Sequence, residues 1–202
     1  KPSNIIVTND GTPKLLDFGI AKLLDNESEN TATIGRMFTP EYASPEQING
    51  LPITTATDVY SLGVVLYQLL SGVRPFNPES KNYAEIANLI LTAEPRKPSS
   101  VVNSRLSVVN NTNENNAETR NEFRDPQSAI RNLKGDLDNI ILKALRKEAE
   151  SRYQSVSDFS ADISRYLKGL PVTATADSKR YRLTKFVQRN KKGVAVSAFI
   201  SL

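Results

Sequence analysis

Cysteine and histidine are both missing from the 202 residues of this chain. Without cysteine there is no disulfide framework, which fits a reducing compartment. Without histidine there is no Ser-His-Asp triad and no His-Glu-x-x-His zinc site, and most catalytic zinc constellations are excluded with them. The excess of positive charge is confined to one region. The net charge is +4 and the isoelectric point about 9.2, values that on their own suggest nucleic acid. Between residues 177 and 192, however, seven Lys and Arg stand against Asp177 alone. That segment carries +6, which leaves −2 for the rest of the chain. The basicity is local, and nucleic acid is not an expected partner. A hydrophobic content of 39% with 24% charged residues is that of an ordinary globular chain, and no internal repeat is present.

Four stretches follow one another. In the first, Ile5-Ile6-Val7 and Lys14-Leu15-Leu16 flank Asn9-Asp10-Gly11, a hairpin signal. A two-residue loop at Asp10-Gly11 would set Val7 opposite Lys14 and Asn4 opposite Asp17; a loop of three or four residues would offset them slightly. Leu24 to Met37 is polar and reads as a mobile loop. In the second stretch, Thr57 is a candidate cap for a helix starting at Asp58. Residues 59–70 are apolar almost all round, as befits a core helix, and Gly72 suits its end. Tyr83 to Ala93 reads as an amphipathic helix. The third stretch, Glu94 to Gly135, is an Asn-rich insert that reads as a solvated loop. Beyond it, Leu137, Ile140, Ile141, Ala144 and Leu145 have helical spacing, and Ser155 with Asp158 marks the start of a helix running to Gly169. The fourth stretch is the basic segment, followed by the apolar residues Gly193 to Leu202.

Several short motifs lie in a fixed order: Lys1-Pro2-Ser3-Asn4, then Asp17-Phe18-Gly19 thirteen residues after Asn4, then Thr39-Pro-Glu-Tyr-Ala-Ser-Pro-Glu46, then Asp58-Val-Tyr-Ser-Leu-Gly63. In this order they resemble the C-terminal lobe of a eukaryotic-type (Hanks-type) serine/threonine protein kinase, most nearly its membrane-anchored bacterial branch. The resemblance covers Lys1 to about Leu170. It implies an α+β, predominantly helical, kinase-like lobe with a short hairpin at the active-site edge. It also implies residues 1–170 as that lobe with an insert at about 95–135, residues 171–192 as a basic juxtamembrane segment, and residues 193–202 as the start of a transmembrane helix.

Each motif residue has a job in phosphoryl transfer from ATP, where concentrated negative charge needs cations in fixed geometry. Asp17 would supply a carboxylate and Asn4 an amide oxygen to Mg²⁺, which takes hard oxygen ligands. Phe18 and Gly19 complete the nucleotide-side motif. Lys1 would touch the transferring phosphate, and Thr39 would shape the acceptor pocket. Glu46 resembles the glutamate that pairs with a later arginine, for which Arg152 is placed. Asp58 resembles a buried aspartate holding catalytic-loop amides. Thr31 and Thr33 are candidate phosphoacceptors in the loop between Asp17 and Glu46. Ser44 stands where the family more often has alanine. The resemblance puts the catalytic-loop aspartate, the strand lysine and the glycine-rich loop upstream of Lys1, with the N-lobe. It implies protein substrates with Ser or Thr acceptors, and a location at the cytoplasmic face of the membrane. A pseudokinase that binds nucleotide or partners without transfer is the alternative from another class.

Overall fold

The computed structural model describes residues 1–16, 39–77, 82–112 and 133–190, with the side chains of residues 108–112 left aside. Strands β1 (Ile5–Val7) and β2 (Pro13–Leu15) form an antiparallel hairpin. The helices are α1 (Pro45–Ile48), α2 (Thr55–Ser71), α3 (Tyr83–Thr92), α4 (Pro98–Thr112), α5 (Asp136–Ala144), α6 (Val156–Leu167) and α7 (Lys179–Arg189). Short 3₁₀ turns occupy Pro2–Asn4, Pro40–Tyr42 and Ala149–Ser151.

The hairpin register is Ile5–Leu15, Ile6–Lys14 and Val7–Pro13. The loop therefore holds three residues, and Val7 faces Pro13 where the two-residue loop would have set it against Lys14. The cause is local. The Gly11 N–H donates to the Thr8 carbonyl at 2.8 Å, and Gly11 takes the left-handed conformation (φ +83°) that lets the chain return. Asp10 accepts hydrogen bonds from the Thr8 hydroxyl and from both the amide (3.2 Å) and hydroxyl (3.1 Å) of Thr12, which locks the wider loop.

Helix α2 is the centre of the fold. One face packs with α3, α4 and α5 through Tyr60, Val64, Tyr67, Ile86, Ile90, Val102 and Ile141. Val59 joins a second cluster with Ile140, Ala144, Tyr153 and Phe159. The helix starts three residues earlier than the sequence suggests. Thr54 is its N-cap, and Thr57 is an interior residue whose Oγ1 accepts from the Thr54 amide at 3.2 Å. Its end at Gly72 is as expected, with φ +73° at the left-handed cap. Gly63 sits where α2 meets α5: a Cβ built there would lie 2.9 Å from Ala144 Cβ. A glycine inside a helix costs about 0.5–1 kcal/mol, and the close approach offsets that cost.

The insert is not uniformly a loop. Its first part is helix α4, with Val102 buried and Val101 and Leu106 packed against the core. Long-range polar contacts hold it. The Ser99 amide and hydroxyl donate to buried Asp138 at 3.0 and 2.6 Å, and Arg105 Nη1 donates to the Ser71 carbonyl at 2.9 Å. Residues 113–132 lie outside the described residues.

The chain stays ordered past α6. Buried Asp162 accepts from the Thr173 amide (2.7 Å), the Thr173 hydroxyl (2.8 Å), the Ala174 amide (2.9 Å) and the Tyr153 hydroxyl (2.8 Å). Burial opposes the Asp162 charge, but these donors outweigh it and hold its pKa below the ordinary carboxylate value. Within the basic segment, Lys179–Arg189 is helix α7, capped by Ser178. It docks through Lys185 Nζ, 2.6 Å from Asp136 Oδ2, and through the Tyr181 hydroxyl, which accepts from the Val172 amide at 3.0 Å.

Because α2 and α5 touch at Gly63, Gly63→Val is expected to lower stability by about 2 kcal/mol or more through overpacking. Urea unfolding checks this. An unchanged midpoint would mean that the two helices can separate at no cost.

Candidate active site

The most completely satisfied group in the molecule is Arg152, buried at 3% exposure. Its guanidinium carries five N–H donors, and all five are used. Two reach the Glu46 carboxylate in a bidentate fork, Nη1 to Oε1 at 2.7 Å and Nη2 to Oε2 at 2.8 Å. The other three go to main-chain carbonyls: Nε to Arg146 at 2.7 Å, Nη1 to Ala56 at 3.0 Å and Nη2 to Lys147 at 2.8 Å. The Thr57 hydroxyl donates to Glu46 Oε1 at 2.7 Å. Burial would raise the Glu46 pKa from its ordinary 4.5, but the hydrogen bonds from Arg152 and Thr57 prevail and hold it at about 2. The Arg152 guanidinium also lies 4.9 Å from the Tyr60 ring centre, a favourable cation–π distance.

This pair fixes the segment from Thr39 to Glu46. Ser44 caps α1, its Oγ accepting from the Gln47 amide at 3.3 Å while its own amide donates to Gln47 Oε1 at 3.0 Å. Upstream, the Ser61 hydroxyl donates to the Tyr42 carbonyl at 3.0 Å and the Tyr42 hydroxyl to Gln68 Oε1 at 2.6 Å. Arg74 pairs with Glu41 at 2.9 Å. Thr39 stands half-buried at the head of this pinned segment, its carbonyl accepting from the Tyr42 amide at 3.0 Å.

At the hairpin's open end, the Leu16 amide donates to the Asn4 carbonyl at 2.8 Å. Asn4 is thus opposite Leu16, one residue short of Asp17. Asn4 is half-buried and Lys1 exposed. Asp17, Phe18, Gly19, Thr31 and Thr33 lie outside the described residues, and among the described residues no cluster of three acidic side chains could hold a metal.

Asp58 is exposed, on the side of α2 that also carries the exposed Leu62 and Leu69. Sequence reasoning missed Thr57, which it took for a cap. The three carbonyls that complete the Arg152 shell are main-chain groups and leave no trace in residue type.

Among the described residues, a fold dominated by helices with one short hairpin, and a glutamate–arginine pair buried beneath the Ser44-Pro45-Glu46 turn, are of the protein-kinase type. The protein kinase domain family matches residues 1–161, and the chain belongs to that family. It is 32% identical over 197 residues to the serine/threonine-protein kinase PknB of Mycobacterium tuberculosis, covering 96% of this chain and 27% of that protein. It is 33% identical over 177 residues to a probable serine/threonine-protein kinase of Streptomyces coelicolor, SCO3848, covering 87% and 22%. A probable serine/threonine-protein kinase of Clostridium perfringens, CPE1738, is 32% identical over 178 residues, covering 88% and 22%. The chain thus spans about a quarter of the length of these curated relatives.

Replacing Arg152 by Met would strand a buried carboxylate and is expected to cost about 3–5 kcal/mol near neutral pH. The folded pKa of Glu46 lies below its ordinary value, so its contribution is full above pH 4.5 and lost as the pH falls toward about 2. Urea midpoints for wild type and Arg152→Met should therefore converge across that window. A gap equally wide at both ends would mean that Arg152 does not act through the Glu46 charge.

Proposed function

We propose that the whole protein is a serine/threonine protein kinase that transfers the γ-phosphate of ATP to protein substrates, and that this chain forms the substrate-side lobe of its active site. The family match carries the reading, together with the motif order from Lys1 to Asp58. Bound Mg²⁺–ATP would supply the phosphoryl group and the cationic charge that its transfer needs. The donor set fits: Asn4 at the hairpin mouth offers an amide oxygen, Asp17 follows Leu16 directly with a carboxylate, and Mg²⁺ keeps waters for the rest of its shell. Lys1 would balance charge on the transferring phosphate. Thr39 would seat the acceptor residue, its position held by the Arg74–Glu41 and Arg152–Glu46 pairs downstream.

The acceptor hydroxyl must lose a proton, and the reading places that base two residues before Lys1. A polypeptide of residues 1–202 alone is then inactive. In the whole protein, Asp17→Asn removes the charge that Mg²⁺ requires. It is expected to lower kcat by at least about 100-fold while the unfolding midpoint stays near wild type. A kinase assay with ATP and Mg²⁺ decides; near-normal turnover would overturn Asp17 as the principal ligand.

The same reading places the lobe at the cytoplasmic face of a membrane. Helix α7 is wholly cationic in its charge and exposes Leu183, Phe186 and Val187 on the side away from Tyr181 and Lys185. Such a surface suits anionic lipid head groups. Among the described residues no helix is long and apolar enough to cross a membrane, and residues 193–202 lie outside them. The whole protein is expected in the membrane fraction, released only by detergent. Release by salt or carbonate washing alone would leave surface binding and remove the spanning anchor.

A further inference from the structure

A second concave surface lies apart from the motif residues between Lys1 and Asp58 and shares only Arg146, through its carbonyl, with the Arg152 shell. Its floor is the chain from Leu170 to Ala176, and its walls are the ends of α5, α6 and α7. Its volume is about 1110 Å³. Four cations line it: Lys143 and Arg146 from α5 and the turn after it, Arg165 from α6, and Arg182 from α7. The single acidic side chain in the lining is Asp177, and it is engaged by Arg182, whose Nε donates to Oδ1 at 2.7 Å. Among the described residues, Lys143, Arg146 and Arg165 form no ion pair with any carboxylate. Lys143 instead sits 4.3 Å from the Tyr153 ring centre.

We infer that this groove is a docking site for a carboxylate-rich peptide segment of a partner protein. Three observations support it. First, the charge is uncompensated. Asp162, buried beside the groove, spends its oxygens on Thr173, Ala174 and Tyr153. Like charges gathered on one rim repel, and an acidic ligand relieves that repulsion while steering its own approach. Second, the floor is preformed. The four hydrogen bonds to Asp162, and the Val172 amide donated to the Tyr181 hydroxyl, fix the backbone before any ligand arrives, which lowers the ordering cost of binding. Third, the shape suits a chain segment. The volume is at or above the upper end of small-molecule pockets, roughly 300–1,000 Å³, and Leu170 and Pro171 add an apolar strip between the cations. A peptide with acidic residues around one apolar side chain matches both features. Arg146 and Arg165 are exposed and accept a bidentate carboxylate contact that lysine cannot reproduce.

The test is fluorescence anisotropy of the full chain with a labelled peptide of Asp and Glu residues around one Leu, at low and at physiological salt. Binding is expected to weaken at least about 10-fold in the double variant Arg146→Glu, Arg165→Glu, a loss of roughly 1.4 kcal/mol. The control is Lys179→Glu, Arg180→Glu, which changes net charge by the same amount outside the groove and should leave affinity nearly unchanged. Circular dichroism of both variants checks that they fold. No binding by the wild type would overturn the proposal. Equal losses in the two double variants would also overturn it, because the chain would then act as a diffuse polycation. Tighter, groove-dependent binding of a single-stranded oligonucleotide would reassign the groove to a phosphate backbone. The assay needs no phosphotransfer, so its outcome is independent of whether Asp17 and Asn4 hold Mg²⁺.

Discussion

A guanidinium can be buried only if every one of its donors finds an acceptor, and the packing of this lobe follows from meeting that condition at Arg152. The five acceptors come from α1, the first turn of α2 and the turn after α5, regions more than a hundred residues apart along the chain at their extremes. Moving any one of them leaves a buried charge or carbonyl unpaired, at a cost of about 1–3 kcal/mol for each group and more for the ions. Helix α1 has four residues and too little apolar surface to hold its own place. Ile48 packs against the core, and the Glu46–Arg152 fork fixes the orientation of α1 against α2. The hydroxyls of Ser61 and Tyr42 then extend that fixed point upstream toward Thr39.

An apolar contact between the same elements could have been as stable, since desolvation cancels much of what a buried ion pair gains. What it would lack is direction. The bidentate fork admits one orientation of Glu46 against Arg152, and Thr57 fixes the remaining freedom of the carboxylate. A catalytic segment needs its side chains held to within a fraction of an ångström, and directional bonds meet that need better than a greasy interface does.

The parts of this arrangement that could be read from sequence are those whose cause is local. Helices α2, α3, α5 and α6 announce themselves through apolar spacing, and the ends at Gly72 and Ser155 through cap residues, because both signals lie within a few turns. Glu46 and Arg152 were legible only through motif order, since nothing near Arg152 marks it as buried. Helix α4 was not legible. Its composition is polar, and what makes it helical is Ser99 on Asp138 and Arg105 on Ser71, partners brought by the fold. The hairpin was legible and its loop length was left open: Asp-Gly favours a two-residue turn, whereas Thr8 and Thr12 bonding to Asp10 selects three. Asp58 carries no local cue of its own: its expected role rests on motif order, and it is exposed on the side of α2 that carries Leu62 and Leu69. Helix α7 left its signal in Ser178, a residue type suited to a cap, ahead of a run whose basic charge dominates its composition.

The two halves of the lobe treat charge in opposite ways. At the Thr39–Glu46 end the buried charge is matched donor for donor, and the result is rigidity. Beside it, Asp162 is matched just as fully and makes an equally rigid floor, but of the four cations around that floor only Arg182 is paired with a carboxylate among the described residues. Internal hydrogen bonds account for the first arrangement entirely. They account for only the base of the second. The side chains of Arg146 and Arg165 reach solvent, and among the described residues neither forms an ion pair. Their concentration over a fixed, partly apolar floor creates a field that other molecules meet first, and that is the property from which selective association follows.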